Sequence, residues 1–454
     1  MSEDKKPYSL STELIEAFRS NYPAIAEQSP DFINSFRQKS ILDFEQNGLP
    51  NKKNENYKYT NIESSFLGAY KRQYSPQDLS VDINDVFSCD VPELDTHLLL
   101  INGWFLGNEN TLLELPGGVL AGSLHEAAKK YPELVEKYYG KIQSENNDTL
   151  FSLNNAFAQD GLFVYFPKGI KLEKPIQLIN LVVANEQLMI HPRNLIITEE
   201  DSSGSIIICD HSVNPDAFLM NSSTEIFAGK NSKLEMYRQQ NAHDHSVQIT
   251  NTTILQKENS YVNSVYITLH GGTVRNNLHV ELSEPNAENH SSGLWLADKT
   301  QHIDNNTFVH HNAPNCTSSQ LYKGILDDSS TGIFSGRILV DKDAQKTAAF
   351  QSNKNLLMTN EAKSRSKPQL EIYADDVKCS HGSATGQLDE NAMFYLRARG
   401  ISKKEACHLL MQAFASEVIN KITIEPLREE INGLVEKRLR GELSRCHKCK
   451  VHCK

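Results

Sequence analysis

The chain has 454 residues, a net charge of −11, and 39% hydrophobic and 23% charged residues. That length is large for one core, so two or three structural units are expected. No basic stripe of the kind that neutralises phosphates is present, which argues against nucleic acid as the main partner. The first residues carry no apolar leader and no run of 18 apolar residues occurs, so neither export nor membrane spanning is expected. Eight cysteines scattered through so long a chain point to reduced thiols and a soluble, cytoplasmic protein.

Residues 1 to about 65 read as helical. Leu14, Ala17 and Phe18 make one stripe; Phe32, Ile33 and Phe36, continued by Ile41 and Phe44, make another. Gly48-Leu49-Pro50 breaks the run, and the segment Asn54 to Asn61 (NENYKYTN) reads as a polar connector with two aromatic anchors. Short strand-like pieces follow from Thr96 to Val119. Ser123 and Glu126 then have the spacing of a capping box, and Tyr131, Leu134, Val135, Tyr138 and Ile142 fall on one face of the helix expected behind it.

From roughly Gly161 to Asp376 short apolar runs recur with spacers rich in Gly, Asn, Ser and Asp, and no helical period intervenes. That argues against a doubly wound α/β fold and leaves a sandwich or barrel against a β-helix. Length favours the solenoid, and Asn in the turns suits it because Asn tolerates the left-handed conformation. The sequence displays no crisp repeat. Leu370, Ile372 and Tyr373 read as a final strand and Asp375-Asp376 as its turn. Beyond Gly386 the period returns to 3.6, with Asp389 and Ser402 as caps, Gly400 as a stop, and Pro426 opening a third helix. Ala406, Leu409, Leu410, Ala413, Phe414, Val418, Ile419 and Ile422 form an apolar stripe that could cap the open end of the β domain or serve as a docking platform. The expected organisation is a mostly helical region over 1–155, a β core over 156–386, and a C-terminal helical domain over 387–454.

Three groups of ligand-type side chains are candidates. Cys379 and His381, two residues apart, share a face if the backbone is extended and could form half of a soft-metal site. The plain alternative is a small buried cysteine and a hydrogen-bonded histidine. His302, His310, His311 and Cys316 match no zinc spacing, and His310 and His311 would point to opposite faces of a strand, so rung and loop residues are expected there. His243 and His245 read as surface. The terminal run holds Cys446, Cys449 and Cys453 with His447 and His452, a set that could wrap zinc, iron or a cluster. Phosphate-loop, dinucleotide, His-Glu-x-x-His and Gly-x-Ser-x-Gly patterns are absent, so no ATP hydrolysis by this chain is expected.

The stretch LEIYADDVKCSHGSATGQLDE followed by FYLRARGI closely resembles the end of the core in the SufB/SufD family of iron–sulfur cluster assembly scaffolds, on its SufD side. NENYKYTN, the run Gly336 to Met358 and the segment after Gly400 fit the same family. The resemblance implies a mainly β fold with flanking helices, built on a right-handed parallel β-helix. It also implies a non-catalytic scaffold that pairs with a SufB-type subunit, or with itself in that subunit's absence, and whose C-terminal helices receive a SufC-type ABC ATPase. His381, supported by Cys379, would face the partner where a transient iron–sulfur cluster or iron is held, with nothing tightly bound in the isolated chain. Two rivals are weighed. SufB itself typically carries a His-Glu-Ala-Thr-Thr-type segment where Cys379 to Gly382 stand here. A polysaccharide-acting β-helix enzyme would need paired carboxylates, for which Asp327-Asp328 and Asp375-Asp376 are the tight candidates. The tail exceeds the family pattern, so any metal role there belongs to this chain alone. Titration with Zn(II) or Fe(II) is expected to detect weak sites in the full chain that vanish when it is truncated after Ser444; equal titrations would remove the tail from consideration.

Overall fold

A computed structural model describes residues 10–76, 96–105, 111–142, 148–214 and 216–442. Its centre is a parallel β-solenoid of about eight turns in which successive strands alternate between two sheets. The first sheet ends with Thr273–Leu282, His302–His311, Thr331–Val340 and Lys363–Ile372; the second with Glu288–Ala297, Thr317–Leu326, Ala348–Leu357 and Lys378–Gly386. Registers are parallel and nearly unbroken, as in Gln320↔Gln351 and Gln351↔His381. Inward-facing Val262, Val280, Val309, Ile338 and Ala349 belong to one continuous core between the sheets.

One corner explains why the spacers are rich in Asn. Asp201, Asn231, Asn259, Asn286, Asn315 and Lys346 all have positive φ and each stands two residues before a strand of the second sheet. Asn and Asp enter the left-handed region at low cost, and their short side chains can bond locally. Here Asn259 donates to Asn231 (3.0 Å) and Asn231 to Asp201 (2.9 Å), so the corners stack as a ladder.

The outer face of each sheet is covered from a different end of the chain. Helices α1 (Leu10–Ala26), α2 (Asp31–Asn47), α3 (Ile62–Ser65), α4 (Leu124–Lys130), α5 (Pro132–Tyr138) and α6 (Thr149–Phe157) make up the N-terminal layer. Phe18, Phe44 and Leu153 of this layer pack with Leu219 and Ile249 of the first sheet. The buried Arg193–Glu225 pair pins it further: Glu225 accepts from the backbone N–H groups of Gly140 and Ile142, and Arg193 lies 4.3 Å from the Tyr139 ring. The helix expected behind Ser123 is two helices, because Pro132 cannot donate within the run and starts α5 afresh. Ser123 does cap α4, accepting from the Glu126 N–H at 3.1 Å.

Three helices follow the solenoid: α7 (Glu390–Ala398), α8 (Lys403–Ile419) and α9 (Glu425–Leu439). Asp389 and Ser402 cap α7 and α8 through their side chains, and Pro426 opens α9. The open end is not capped by them. Met411, Ala415, Val418, Ile422, Leu427 and Leu434 pack across the outer face of the second sheet, on Ile207, Val265, Leu294 and Ile325. Leu409 and Ala413, taken from the sequence as part of the inward stripe, face solvent, because burial follows the i, i+4 row of Met411 and Ala415. Among the described residues no helix is long and apolar enough to cross a membrane.

The connector Asn54–Asn61 is no loose loop. Tyr57 is buried, with the Arg275 guanidinium 3.9 Å from its ring centroid and its hydroxyl donating to Asp148. Arg275 pairs with Asp304 one turn on, and Thr60 bonds both Asp304 and His302. Tyr59, the other expected anchor, stays more than a third exposed. Replacing Tyr57 with Ala is expected to cost about 3–5 kcal/mol, as for a large aromatic lost from a core. Phe in its place should cost about 1–3 kcal/mol, because a buried acceptor loses its donor. Urea unfolding midpoints check both, and an unshifted midpoint for Tyr57→Ala would refute the anchoring role.

Candidate site at the open end of the solenoid

Each turn of a parallel solenoid hydrogen-bonds to the turn before it and the turn after it. The last turn has only the former. Lys363–Ile372 and Lys378–Gly386 stand at the ends of their sheets, and each leaves one row of backbone donors and acceptors unpaired by a strand. Lys378–Gly386, not the stretch through Ile372, is the last strand, and His381 lies in its interior. Pro368 occupies the Lys363–Ile372 edge, a position that tolerates a missing N–H. Phe350, Ile372 and Tyr373 are exposed around the same end.

Strand parity settles how Cys379 and His381 sit. Their register partners are Ala349 and Gln351, both buried between the sheets. Cys379 and His381 therefore share the inward side, as expected for an extended segment. Cys379 is half-buried and packs on the interior core, and burial pushes its thiol up, an effect that a backbone hydrogen bond at Ala349 only partly offsets. His381 is exposed. Among the described residues no three His, Cys, Asp or Glu side chains converge as a metal site.

Beneath His381 lies a column that sequence reasoning missed. Ile206, Met236, Ser264, Ser291, Gln320, Gln351 and His381 are successive register partners. The column turns from apolar to polar toward the open end. Thr307 Oγ1 donates to Gln320 Oε1 at 2.7 Å, and Gln351 Nε2 donates to the same oxygen at 3.2 Å. The available signal was spacing: Gln320, Gln351 and His381 stand 31 and 30 residues apart.

The other candidates among the described residues stand at rung and corner positions. His311 is buried and bonds Ser318 Oγ at 2.8 Å, and burial lowers its imidazole to about 3. His310 faces outward beside Asp341 at 3.1 Å. His302 bonds Thr60, and the Cys316 thiol is buried against the Glu284 carbonyl. His243 is half-buried and His245 exposed. Asp328 sits at a corner, its carboxylate accepting from the Lys299 N–H, and Asp375 and Asp376 are exposed corner residues. Cys446, Cys449 and Cys453 lie outside the described residues.

The described residues thus form a helix-flanked parallel β-solenoid with Cys379 and His381 on its open terminal turn. The chain belongs to the SufBD family of the SUF system for iron–sulfur cluster assembly. Residues 181–414 match the model described as "SUF system FeS cluster assembly, SufBD core domain", and residues 8–178 match the SufBD protein N-terminal region. An iron–sulfur cluster assembly SufBD family protein of Synechocystis is 30% identical over 404 residues, 86% of this chain and 87% of that protein. The iron–sulfur cluster assembly protein SufD of Escherichia coli is 27% identical over 410 residues, covering 89% and 92%. The SufD protein of Bacillus subtilis is 23% identical over 427 residues, covering 91% and 95%.

A thiol pushed up by burial is less ionised at neutral pH, and the thiolate is the reactive form. Cys379 should therefore alkylate more slowly than a free cysteine at about pH 7 and accelerate as pH rises. Mass-spectrometric peptide mapping of a timed iodoacetamide reaction checks this, and a rate equal to the free thiol would show that the side chain does not sit against the core.

Proposed function

We propose that this chain is the SufD-type, non-catalytic half of a cytoplasmic two-subunit assembly platform. It joins a SufB-type subunit through the open end of the solenoid and receives a SufC-type ATPase on its C-terminal helices. The observation that carries the reading is the free edge of Lys378–Gly386 with His381 exposed on it. An unpaired strand edge is a template for strands of another chain, and Phe350, Ile372 and Tyr373 supply apolar surface beside it. His381 would then meet ligands of the partner and hold iron or a nascent cluster as cargo, with Cys379 behind it. An imidazole and a thiol on one face fit such cargo as half of a ligand set.

The ATPase surface is supported by α7, in which no residue is buried and from which Phe394 and Tyr395 project. Leu409 of α8 is exposed as well. Nucleotide-driven movement of the ATPases would reach the open end through these helices. Lys323 couples the two parts: its ammonium pairs with Glu417 and lies 4.2 Å from the Phe414 ring.

Co-expression with the SufB- and SufC-type proteins of the same source, followed by size exclusion and mass determination, should yield one complex containing all three. In it, His381→Ala should leave assembly of the polypeptides intact and reduce cluster formation by at least about tenfold, the usual scale for loss of a metal-site group. Unchanged cluster formation would remove His381 from the site, and a chain that ignores both partners would overturn the scaffold reading.

A further inference from the structure

We infer that Gln351 is a positioning residue for His381: its carboxamide oxygen accepts a hydrogen bond from one imidazole N–H, which fixes the ring tautomer and leaves the other ring nitrogen directed away from the solenoid. The argument starts from the ladder. Gln320 Oε1 accepts from the residue directly above it, Gln351, through Nε2 at 3.2 Å. Gln351 thereby commits its amide nitrogen to the turn below. Its oxygen is buried and has no hydrogen-bond partner among the described residues. The residue directly above Gln351 is His381, on the same inward side. Neighbouring strands lie about 4.8 Å apart, a spacing an imidazole can bridge to an amide below it. A buried acceptor left unbonded is costly, so the ladder favours the ring rotamer that continues it.

Gly336 makes this arrangement possible. A Cβ there would stand 2.2 Å from Gln351 Nε2 and 2.8 Å from its Cδ, so only glycine lets the carboxamide lie across the interior at this level. With a neutral amide below, one ring nitrogen keeps its proton and the other presents a lone pair, which is the state a metal needs. What that second nitrogen binds rests on the function proposed above; the hydrogen bond itself does not.

The test uses the full chain with ¹⁵N-labelled histidine, and two-bond ¹H–¹⁵N correlation at about pH 8, above the ordinary imidazole range. The His381 ring is assigned by its disappearance in His381→Ala. In the wild-type chain one nitrogen should be protonated and the other bare, a single tautomer. Gln351→Leu should release the ring to a mixture, while Gln351→Glu, which keeps an acceptor, should retain the single tautomer. An averaged mixture in the wild-type chain, or the same single tautomer in Gln351→Leu, overturns the inference; the first of these decides even if the Leu variant fails to fold. In the three-component complex, Gln351→Leu should lower cluster formation about tenfold. A locked ring in a chain that binds no partner would sink the scaffold reading and leave this inference standing.

Discussion

A parallel solenoid cannot close on itself. Every internal turn satisfies its backbone through the turns on either side, so the architecture extends without limit and always leaves an end. In this chain the end at Lys378–Gly386 is not covered by the helices that follow it. Their apolar rows instead complete the outer face of the second sheet. The Lys378–Gly386 edge is, with Lys363–Ile372, one of two terminal strand edges at this end, and the histidine and cysteine that drew attention in the sequence are on it.

Sheet faces raise a second requirement, met from opposite directions. Outward-facing residues in the middle turns include Leu219, Ile249, Val265 and Ile267, all buried, so both faces need a cover. The N-terminal layer and the segment through Tyr57 supply one, and α8 and α9 supply the other. Buried charges mark where these covers are fastened. Arg193–Glu225 and Arg275–Asp304 are each complete pairs with further hydrogen bonds, the condition under which a buried ion pair is tolerable, and each reaches from a strand to the covering layer. They add less net stability than orientation: losing one partner would strand the other charge.

Much of this was legible in the sequence, and the failures have physical causes. Caps and proline at Ser123, Asp389, Ser402 and Pro426 marked helix starts because they act through local geometry. The shared face of Cys379 and His381 followed from strand parity alone. The repeat did not show, because its two halves behave differently. Through the left-handed corner, strand starts are 15 residues apart from Ser246 to Tyr261, from Thr273 to Glu288 and from His302 to Thr317. Back across the other corner they are 13, 12 and 14 apart from Lys233, Tyr261 and Glu288. The variable half blurs the period of the whole. Tyr57 was expected as an anchor, but not what it anchors to: its partner Arg275, which pairs with Asp304, is more than two hundred residues away, and only the fold brings them together. The Gln320–Gln351–His381 column was hidden likewise.

The corner ladder and the one-sided last turn together bear on motion. In a stacked array stability is close to a sum over neighbours, so an internal turn is held by two interfaces and a terminal one by a single interface. The strand that presents His381 is then the part of the solenoid nearest to fraying, opening locally while the turns beneath remain closed. Docking of another chain would supply the absent neighbour and quench that opening. Association and ordering would thus be coupled at the same strand, so that the ring is held most firmly when there is a second surface for it to face.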